Sequence, residues 1–163
     1  MFREMRRKKQ LLSSKENMEI LENGTSGVLA LLGDQEYPYA VPISYVLHNS
    51  SIYFHSAKAG HKIDAIRTCS KASFCVIAQD EVVPEEYTTY FKSVILFGTI
   101  RILEDENEIK EAIEQLALKY HPNDTPANRT QTIAGEWKSF CIMELSIEHI
   151  TGKEAKELAK KRW

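Results

Sequence analysis

Near its centre the chain reads Ser51-Ile52-Tyr53-Phe54-His55-Ser56-Ala57-Lys58-Ala59-Gly60-His61-Lys62-Ile63-Asp64-Ala65-Ile66. The first residues have the composition of a β-strand, and the last apolar residues have helical spacing. A loop that leads from a strand into a helix directs unpaired backbone N–H groups and the positive end of the helix dipole at one spot. This order of elements predicts an anion-binding cradle. The alternative is an ordinary strand-to-helix turn with solvated cations.

Several side chains of this junction suit a phosphate group. Ser56 can donate its hydroxyl hydrogen, and Lys62, together with His61, can add positive charge. Small residues such as Ala57 and Gly60 let a phosphate approach the backbone closely, which bulky side chains would prevent. These five residues are therefore the predicted phosphate site.

Strand signals lie on both sides of the junction. Three apolar runs with short turns between them predict an antiparallel meander over residues 28–32, 39–47 and 52–54. Pro42 lies inside the second run and cannot donate to a ladder, so we expect a sheet edge, a bulge or a special backbone role there. Further strands are predicted at residues 73–78, 87–103 and 140–147. Gly98 marks a kink or a close approach in the second of these.

Helical signals are fewer. Ser13 and Glu16 form a capping box before a short first helix, and apolar periodicity predicts an amphipathic helix over residues 106–120. Residues 121–137, which contain two prolines and a glycine, are predicted as a long loop over a site or a subunit interface. The pattern favours a mainly β fold with flanking α-helices, a small antiparallel barrel of about six strands, as one domain over residues 1–163.

Composition narrows the class of protein. The chain has 163 residues, 43% hydrophobic and 27% charged, with a net charge of −2, as is typical of soluble globular proteins. Basic residues at both ends have no nucleic-acid-reading motif beside them, so we expect no nucleic-acid partner. An odd number of widely spaced cysteines indicates a reducing cytoplasm rather than a disulfide framework. We expect no membrane association, because no uncharged apolar stretch approaches the roughly 18 residues of a membrane span.

Most catalytic chemistries lack their residue sets. The five histidines are not spaced as metal ligands, so no metal is expected, and the Gly-x-Ser-x-Gly turn of many serine hydrolases is absent from the sequence. A phosphate cradle, a strand interrupted by proline and several aromatic residues suit a cofactor that carries its own chemistry.

Four characteristic segments follow one another along the chain: Tyr37–Tyr45, Ile52–Ala57 with Gly60 and Lys62, Lys92–Val94 with Gly98, and Ile150–Lys153. Together they resemble the pyridoxamine 5′-phosphate oxidase-like FMN-binding split barrels. Within these, the similarity is greatest to the 5-nitroimidazole resistance (Nim-type) branch. The resemblance covers almost the whole chain, including the start at residues 5–8.

The resemblance implies a homodimer with FMN at the subunit interface, although FAD is not excluded. By position, the backbone around Ala40, Val41, Pro42 and Ile43 would line the isoalloxazine ring. The ribityl chain and ring would border His55, Ser56 and Ala57, and the phosphate would lie at Gly60, His61 and Lys62. Two further residues would approach from elsewhere in the dimer, Ser93 and Lys153.

The implied activity is an FMN-dependent oxidoreductase that reduces nitro compounds or similar small electron acceptors. His55 is the candidate catalytic residue, because imidazole titrates near neutral pH and can supply a proton. Alternatively, His55 only hydrogen-bonds the cofactor or the backbone. The C-terminal residues 157–163 depart from the Arg-Leu-Pro type ending of true pyridoxamine phosphate oxidases, which argues against vitamin B6 oxidation. A different class of function is a non-catalytic flavin- or haem-binding or sensing protein.

Overall fold

A computed structural model describes residues 1–161 of the chain. In this range there are seven strands, named β1 (Ser26–Leu32), β2 (Pro38–Ser44), β3 (Val46–His48), β4 (Ser51–Ala57), β5 (Lys71–Val83), β6 (Thr88–Ile102) and β7 (Phe140–Glu154). The α-helices of the same range are α1 (Ser14–Asn23), α2 (His61–Thr68), α3 (Glu106–Tyr120), α4 (Pro126–Glu136) and α5 (Lys156–Lys160).

All seven strands form one antiparallel sheet with the order β2-β1-β5-β6-β7-β4-β3. The predicted meander is wrong, because β2 and β3 lie at opposite edges of this sheet although only Tyr45 separates them in sequence. A single connecting residue can reach both edges only if the sheet curls until they approach each other. The sheet is therefore a half-open barrel, and the predicted mainly β split-barrel fold with flanking helices is confirmed.

Tyr45 is held at this crossing by several partners. Its side chain is fully buried, its hydroxyl donates to the Leu21 carbonyl at 2.8 Å, and its ring packs edge-on against Phe74. Its backbone N–H donates to the Tyr120 hydroxyl at 2.9 Å. Burial, with a smaller contribution from the Tyr120 phenol, raises the pKa of the Tyr45 phenol, so this group stays a neutral donor. Helices α1 and α3 are thereby tied to the crossing.

Alternating side chains of the strands fill two cores. The larger core lies inside the barrel and includes Leu29, Phe54, Phe74 and Leu96. A smaller core lies on the opposite face of β3, β4 and β7, where α3 packs; its buried members are Val46, Leu103, Ala112, Leu116 and Ile142. Since β4 contributes Phe54 to the inner face, its neighbour His55 is directed to the outer face beside α3.

Two helix predictions are confirmed here, and one loop prediction is wrong. Helix α1 begins with the predicted capping box at Ser13 and Glu16, and α3 spans the predicted residues. The loop predicted over residues 121–137 instead contains α4, where Thr125 accepts a hydrogen bond from the Asn128 N–H at 3.2 Å and Pro126 occupies the first turn. A threonine cap followed by proline is a helix-start signal that the sequence offered.

No helix within residues 1–161 is long and apolar enough to cross a membrane.

The basic residues near the C-terminus of the sequence extend to Arg162. Arg162 and Trp163 lie outside the described residues.

Gly98 is confirmed as a point of close approach. The register of β6 against β7 shifts between Phe97 and Gly98, and a Cβ added at Gly98 would lie 2.0 Å from the Ser146 carbonyl oxygen. Backbone atoms of a central strand cannot retreat as a flexible side chain can. Substitution here must separate β6 from β7 locally.

We therefore expect Gly98→Ala to lower the free energy of unfolding by about 1–3 kcal/mol, the usual cost of overpacking. Urea unfolding followed by circular dichroism measures the change. The control is Gly135→Ala in α4, where an added Cβ meets no atom of the described residues within 4 Å. This control should be neutral or more stable, by up to about 1 kcal/mol, because alanine favours helix. Equal stability of Gly98→Ala and the parent would contradict the close-approach interpretation.

Candidate functional site

The predicted cradle is present as a strand, a short loop and a helix start. Strand β4 ends at Ala57, and α2 begins at His61 after Gly60, whose φ of 121° is a conformation that glycine adopts readily. The Gly60 carbonyl accepts from the N–H groups of Ile63 and Asp64 at 2.9 and 3.1 Å. These are the first hydrogen bonds of α2, so the preceding N–H groups of residues 61 and 62 point out of the helix end.

The space beside Gly60 is open. Apart from chain neighbours, no atom of residues 1–161 lies within 4 Å of the position that a Cβ at Gly60 would take, and no described side chain caps α2. Backbone donors at this helix start are therefore accessible to a ligand. An anionic group would meet both these donors and the positive end of the helix dipole.

Positive side chains surround the same end of the sheet. Burial raises the pKa of the Cys141 thiol and is the largest effect on it. Lys62, Lys58 and Arg67 lie close enough for their positive charge to lower the same pKa. Cys141 pairs with Ser56 across β4 and β7, and its thiol lies 3.5 Å from the Ala57 carbonyl oxygen. We call these three cations the basic cluster; its members are Lys58, Lys62 and Arg67.

Two members of the basic cluster remain available for a ligand. Arg67 Nη1 lies 3.9 Å from the Asp64 carboxylate, which partly offsets its charge. No carboxylate of residues 1–161 lies within ion-pair distance of Lys58 or Lys62. The junction is thus electropositive, with open backbone donors at its centre.

Strand β2 adjoins this junction through His61. The imidazole of His61 stacks on the Tyr39 ring with centroids 4.1 Å apart, and it contacts the turn between β1 and β2 through Asp34. The next residues of β2 are those predicted to line a flavin ring, Ala40, Val41, Pro42 and Ile43. Their alternation leaves Ala40 and Pro42 exposed, while Val41 and Ile43 pack on the inner core.

The expectation for Pro42 is confirmed, since β2 is an edge strand. It pairs with β1 alone among the strands of residues 1–161, with Pro42 opposite Val28. A proline at this edge leaves one fewer backbone donor on an exposed strand. Backbone groups of β2 are consequently available to something other than the sheet.

His55 is exposed and lines a cavity of about 550 Å³ on the outer face of β4, which Ser56 and Ala57 at the end of the strand also line. Helices α3 and α4 form the opposite wall. The cavity lining is apolar on much of the α3 side and polar elsewhere; its polar residues are Ser44, His55, Ser56, Tyr120, Thr132, Glu136 and Ser139. The main apolar lining residues are Ile113, Leu116, Ala117, Ile133 and Phe140.

The α4 side of this cavity was not predicted from the sequence. Residues 121–137 were predicted as a covering loop. They do cover the cavity, but as a helix that presents Thr132, Ile133 and Glu136. The cap at Thr125 was the signal that could have revealed this helix.

Ser93 and Lys153 lie beside each other, but they are not near the cradle of the same chain. They are paired across β6 and β7, and the Lys153 ammonium lies 5.5 Å from the centre of the Phe91 ring. Lys153 is near the end of β7, whereas Phe140, which pairs with Ala57, is at its start. Within one chain these two residues and the basic cluster therefore occupy opposite ends of β7.

Within residues 1–161, no three side chains of His, Cys, Asp or Glu form a group that could hold a metal ion. The cysteines at positions 69, 75 and 141 are free thiols. The described arrangement offers open backbone donors at the start of α2 and an exposed imidazole at His55.

Solved structures with the same fold include three that are relevant to this site. A candidate 5-nitroimidazole antibiotic resistance protein from Bacteroides thetaiotaomicron is 16% identical, with 88% of this chain and 86% of that chain covered and a TM-score of 0.75. The FAD and heme binding protein from Mycobacterium smegmatis is 21% identical, with 91% and 74% covered and a TM-score of 0.74. The flavocytochrome Anf3 from Azotobacter vinelandii is 17% identical, with 94% and 72% covered and a TM-score of 0.77.

No curated protein sequence matches the chain. The sequence model described as pyridoxamine 5′-phosphate oxidase matches residues 13–154, which include every strand and the cradle. The resemblance seen in the four sequence segments is thereby confirmed, and the structural similarity to a candidate nitroimidazole resistance protein agrees with it. The chain belongs to the pyridoxamine 5′-phosphate oxidase family.

Proposed function

We propose that the protein binds a flavin, FMN rather than FAD, and acts as an oxidoreductase on a small electron acceptor. The observation that carries this proposal is the open, electropositive start of α2, where backbone donors beside Gly60 meet Lys58 and Lys62. This arrangement fits a phosphate monoester, because both its charge and its oxygen acceptors are matched. The names of two structural neighbours, which mention FAD and a flavocytochrome, support a flavin as the group that carries the phosphate.

The predicted contacts follow the course of the chain. Gly60, Lys62 and the backbone of His61 hold the phosphate, and Ser56 and Ala57 at the end of β4 border the ribityl chain. The exposed edge of β2 then lines the isoalloxazine ring through Ala40, Val41, Pro42 and Ile43. Tyr39, which stacks on His61, supports this route because it connects the ring-lining strand with the phosphate cradle.

The proposal includes a homodimer with the flavin at the subunit interface. Val28, Ile77 and Ile95 are exposed by 37%, 63% and 42%, and the strand registers place them on one face of the sheet. Ser93 pairs with Ile77 and with Lys153, so these two polar residues belong to the same face. A contiguous apolar face of this kind is typical of an interface. A second copy seated on it brings Ser93 and Lys153 to the flavin of its partner.

Bound FMN supplies reversible electron transfer to an acceptor. His55 lies at the border between the predicted flavin contacts and the outer cavity, where its exposed imidazole can deliver a proton to the acceptor. The apolar wall formed by Ile113, Leu116 and Phe140 suits a small, flat molecule such as a nitro-aromatic compound. The neighbour described as a candidate 5-nitroimidazole resistance protein supports this class of acceptor.

The alternative is a protein that binds flavin or haem without turnover. The similarity to a protein named for FAD and heme binding supports it. Retention of cofactor without electron transfer to any acceptor would favour this alternative over the oxidoreductase. A cytoplasmic location is part of the proposal in either case, supported by the free thiols at positions 69, 75 and 141.

The visible absorbance spectrum of the purified protein, recorded before and after incubation with FMN and desalting, tests cofactor binding. We expect a retained flavin spectrum with one FMN per chain. FAD in a parallel sample should be retained less well. A colourless protein after both incubations would overturn the flavin proposal.

Lys62→Glu should weaken FMN binding, since it places negative charge against the phosphate. At partly buried sites such a reversal costs about 1.4 kcal/mol or more, which is at least about tenfold in Kd. Riboflavin, which lacks the phosphate, should lose much less affinity; fluorescence titration measures both. Lys110→Glu on the exposed face of α3 is the matched control and should bind FMN as the parent does. Unchanged FMN affinity of Lys62→Glu would remove the phosphate assignment.

His55→Ala should retain FMN and lose turnover with a nitro-aromatic acceptor by about 100-fold or more, the usual contribution of a positioned proton donor. Steady-state kinetics with a chemical reductant and the absorbance of bound flavin give the two readouts. His121→Ala, at the exposed end of α3, is the control. Full turnover of His55→Ala with bound FMN would leave His55 with a hydrogen-bonding role only.

A further inference from the structure

The side chain of His61 does not extend into the cradle that its backbone helps to form. It contacts the hairpin between β1 and β2, where its ring stacks on Tyr39 at an interplanar angle of 23°. Its Nε2 accepts a hydrogen bond from the Asp34 N–H at 3.2 Å. These two contacts join the first residue of α2 to a turn 27 residues earlier in the chain.

The Asp34 backbone N–H is the donor in this hydrogen bond, so Nε2 of the ring faces the β1–β2 turn rather than the cradle. The Asp34 carboxylate lies 3.8 Å from the same nitrogen and adds a second contact with the turn. The His61 ring therefore supports the hairpin.

The turn that His61 contacts needs such support. Gln35 and Glu36 adopt φ values of 54° and 63°, which are unfavourable for residues with a Cβ. Strained residues of this kind persist where surrounding contacts determine the conformation. The Asp34 N–H lies at the start of this turn, so its hydrogen bond to His61 fixes the point at which the chain leaves β1 and begins to turn toward β2.

Tyr39 connects this support to the proposed ring-binding strand. It is the residue before Ala40, and its ring is half-buried between His61 and the inner core. A shift of Tyr39 along or away from α2 would move the backbone of β2 relative to Gly60 and Lys62. Beside the pairing of β2 with β1, the His61 contacts are therefore a direct link between the ring-lining strand and the start of α2.

We infer that His61 is a positioning residue, which holds the β1–β2 hairpin against α2 so that one flavin can reach both β2 and the cradle. This inference rests on the proposed flavin site. It differs from a direct phosphate contact by the imidazole, because it predicts that His61 acts through Tyr39.

A double-mutant cycle on FMN affinity tests the inference. His61→Ala removes one aromatic pair and one hydrogen bond, and Tyr39→Ala removes the same aromatic pair. Each variant should therefore raise the Kd of FMN about tenfold. The double variant should bind no more than about twofold more weakly than the worse single variant, since both substitutions break the same contact. His61→Gln, which keeps an acceptor for the Asp34 N–H, should recover to within about threefold of the parent.

Two outcomes would overturn the inference. If the effects of His61→Ala and Tyr39→Ala multiply, His61 acts on the flavin independently of the hairpin. Parent-like affinity of His61→Ala would show that the contact does not affect the site. Failure of the parent itself to bind FMN would instead overturn the proposed function, and this inference with it.

Amide hydrogen exchange of the cofactor-free protein checks the contact itself. The Asp34 amide should exchange faster in His61→Ala than in the parent, and His61→Gln should restore its protection. Unchanged exchange at Asp34 in His61→Ala would contradict the contact. Where His61→Ala does not fold, His61→Phe keeps the stacking but removes the acceptor, and it should bind FMN more weakly than His61→Gln and expose the Asp34 amide to faster exchange. Equal FMN affinity of these two variants would overturn the inference.

Discussion

The crossing at Tyr45 is the constraint on which the barrel depends. Residues 44 and 46 belong to opposite edges of one sheet, so the sheet can neither flatten nor open widely without breaking the chain path between them. The buried phenol bonded to Leu21 and the backbone N–H bonded to Tyr120 hold α1 and α3 at this point. The ammonium of Lys119, 4.1 Å from the centre of the Tyr45 ring, adds a cation–π contact on the same residue. Curvature, helix placement and the approach of β2 to β4 therefore share one origin.

That curvature brings two chemically different edges to one place. Strand β2 contributes an exposed backbone edge with Pro42, and β4 ends in small residues that give way to the basic cluster. In a flat sheet of the same order these strands would be separated by four others. The proposed flavin site thus depends on long-range closure of the barrel rather than on any single motif.

Sequence patterns predicted those parts of the fold that depend on residues close together in the chain. The capping box at Ser13, the helix over residues 106–120 and the strand-to-helix order around Gly60 depend on neighbours in sequence, and sequence patterns report such neighbours well. The break at Tyr45 could not be predicted in this way, because residues 39–47 have the composition of one strand and Ser44 alone does not indicate a change of sheet edge. Its partner Tyr120 lies 75 residues away, and hydrophobic periodicity carries no information on that pairing.

The candidate site also has a predictable part and an unpredictable part. The proposed phosphate-binding part was predictable, since Gly60 and Lys62 belong to one short segment. The cavity beside His55 was not, because its outer wall comes from a helix that the prolines and glycine of residues 121–137 concealed. The contacts of His61 with Asp34 and Tyr39 join two segments whose separate patterns gave no sign of each other.

Helix α4 buries none of its described side chains and packs mainly beside α3, yet it supplies one wall of the cavity. Its sequence is consequently under little constraint from the barrel core. Residues such as Thr132 and Ile133 can diverge in size and polarity while the sheet and the cradle stay unchanged. The size and polarity of this cavity can therefore change without a change in the barrel core, since the wall formed by α4 and the buried sheet residues share no side chain.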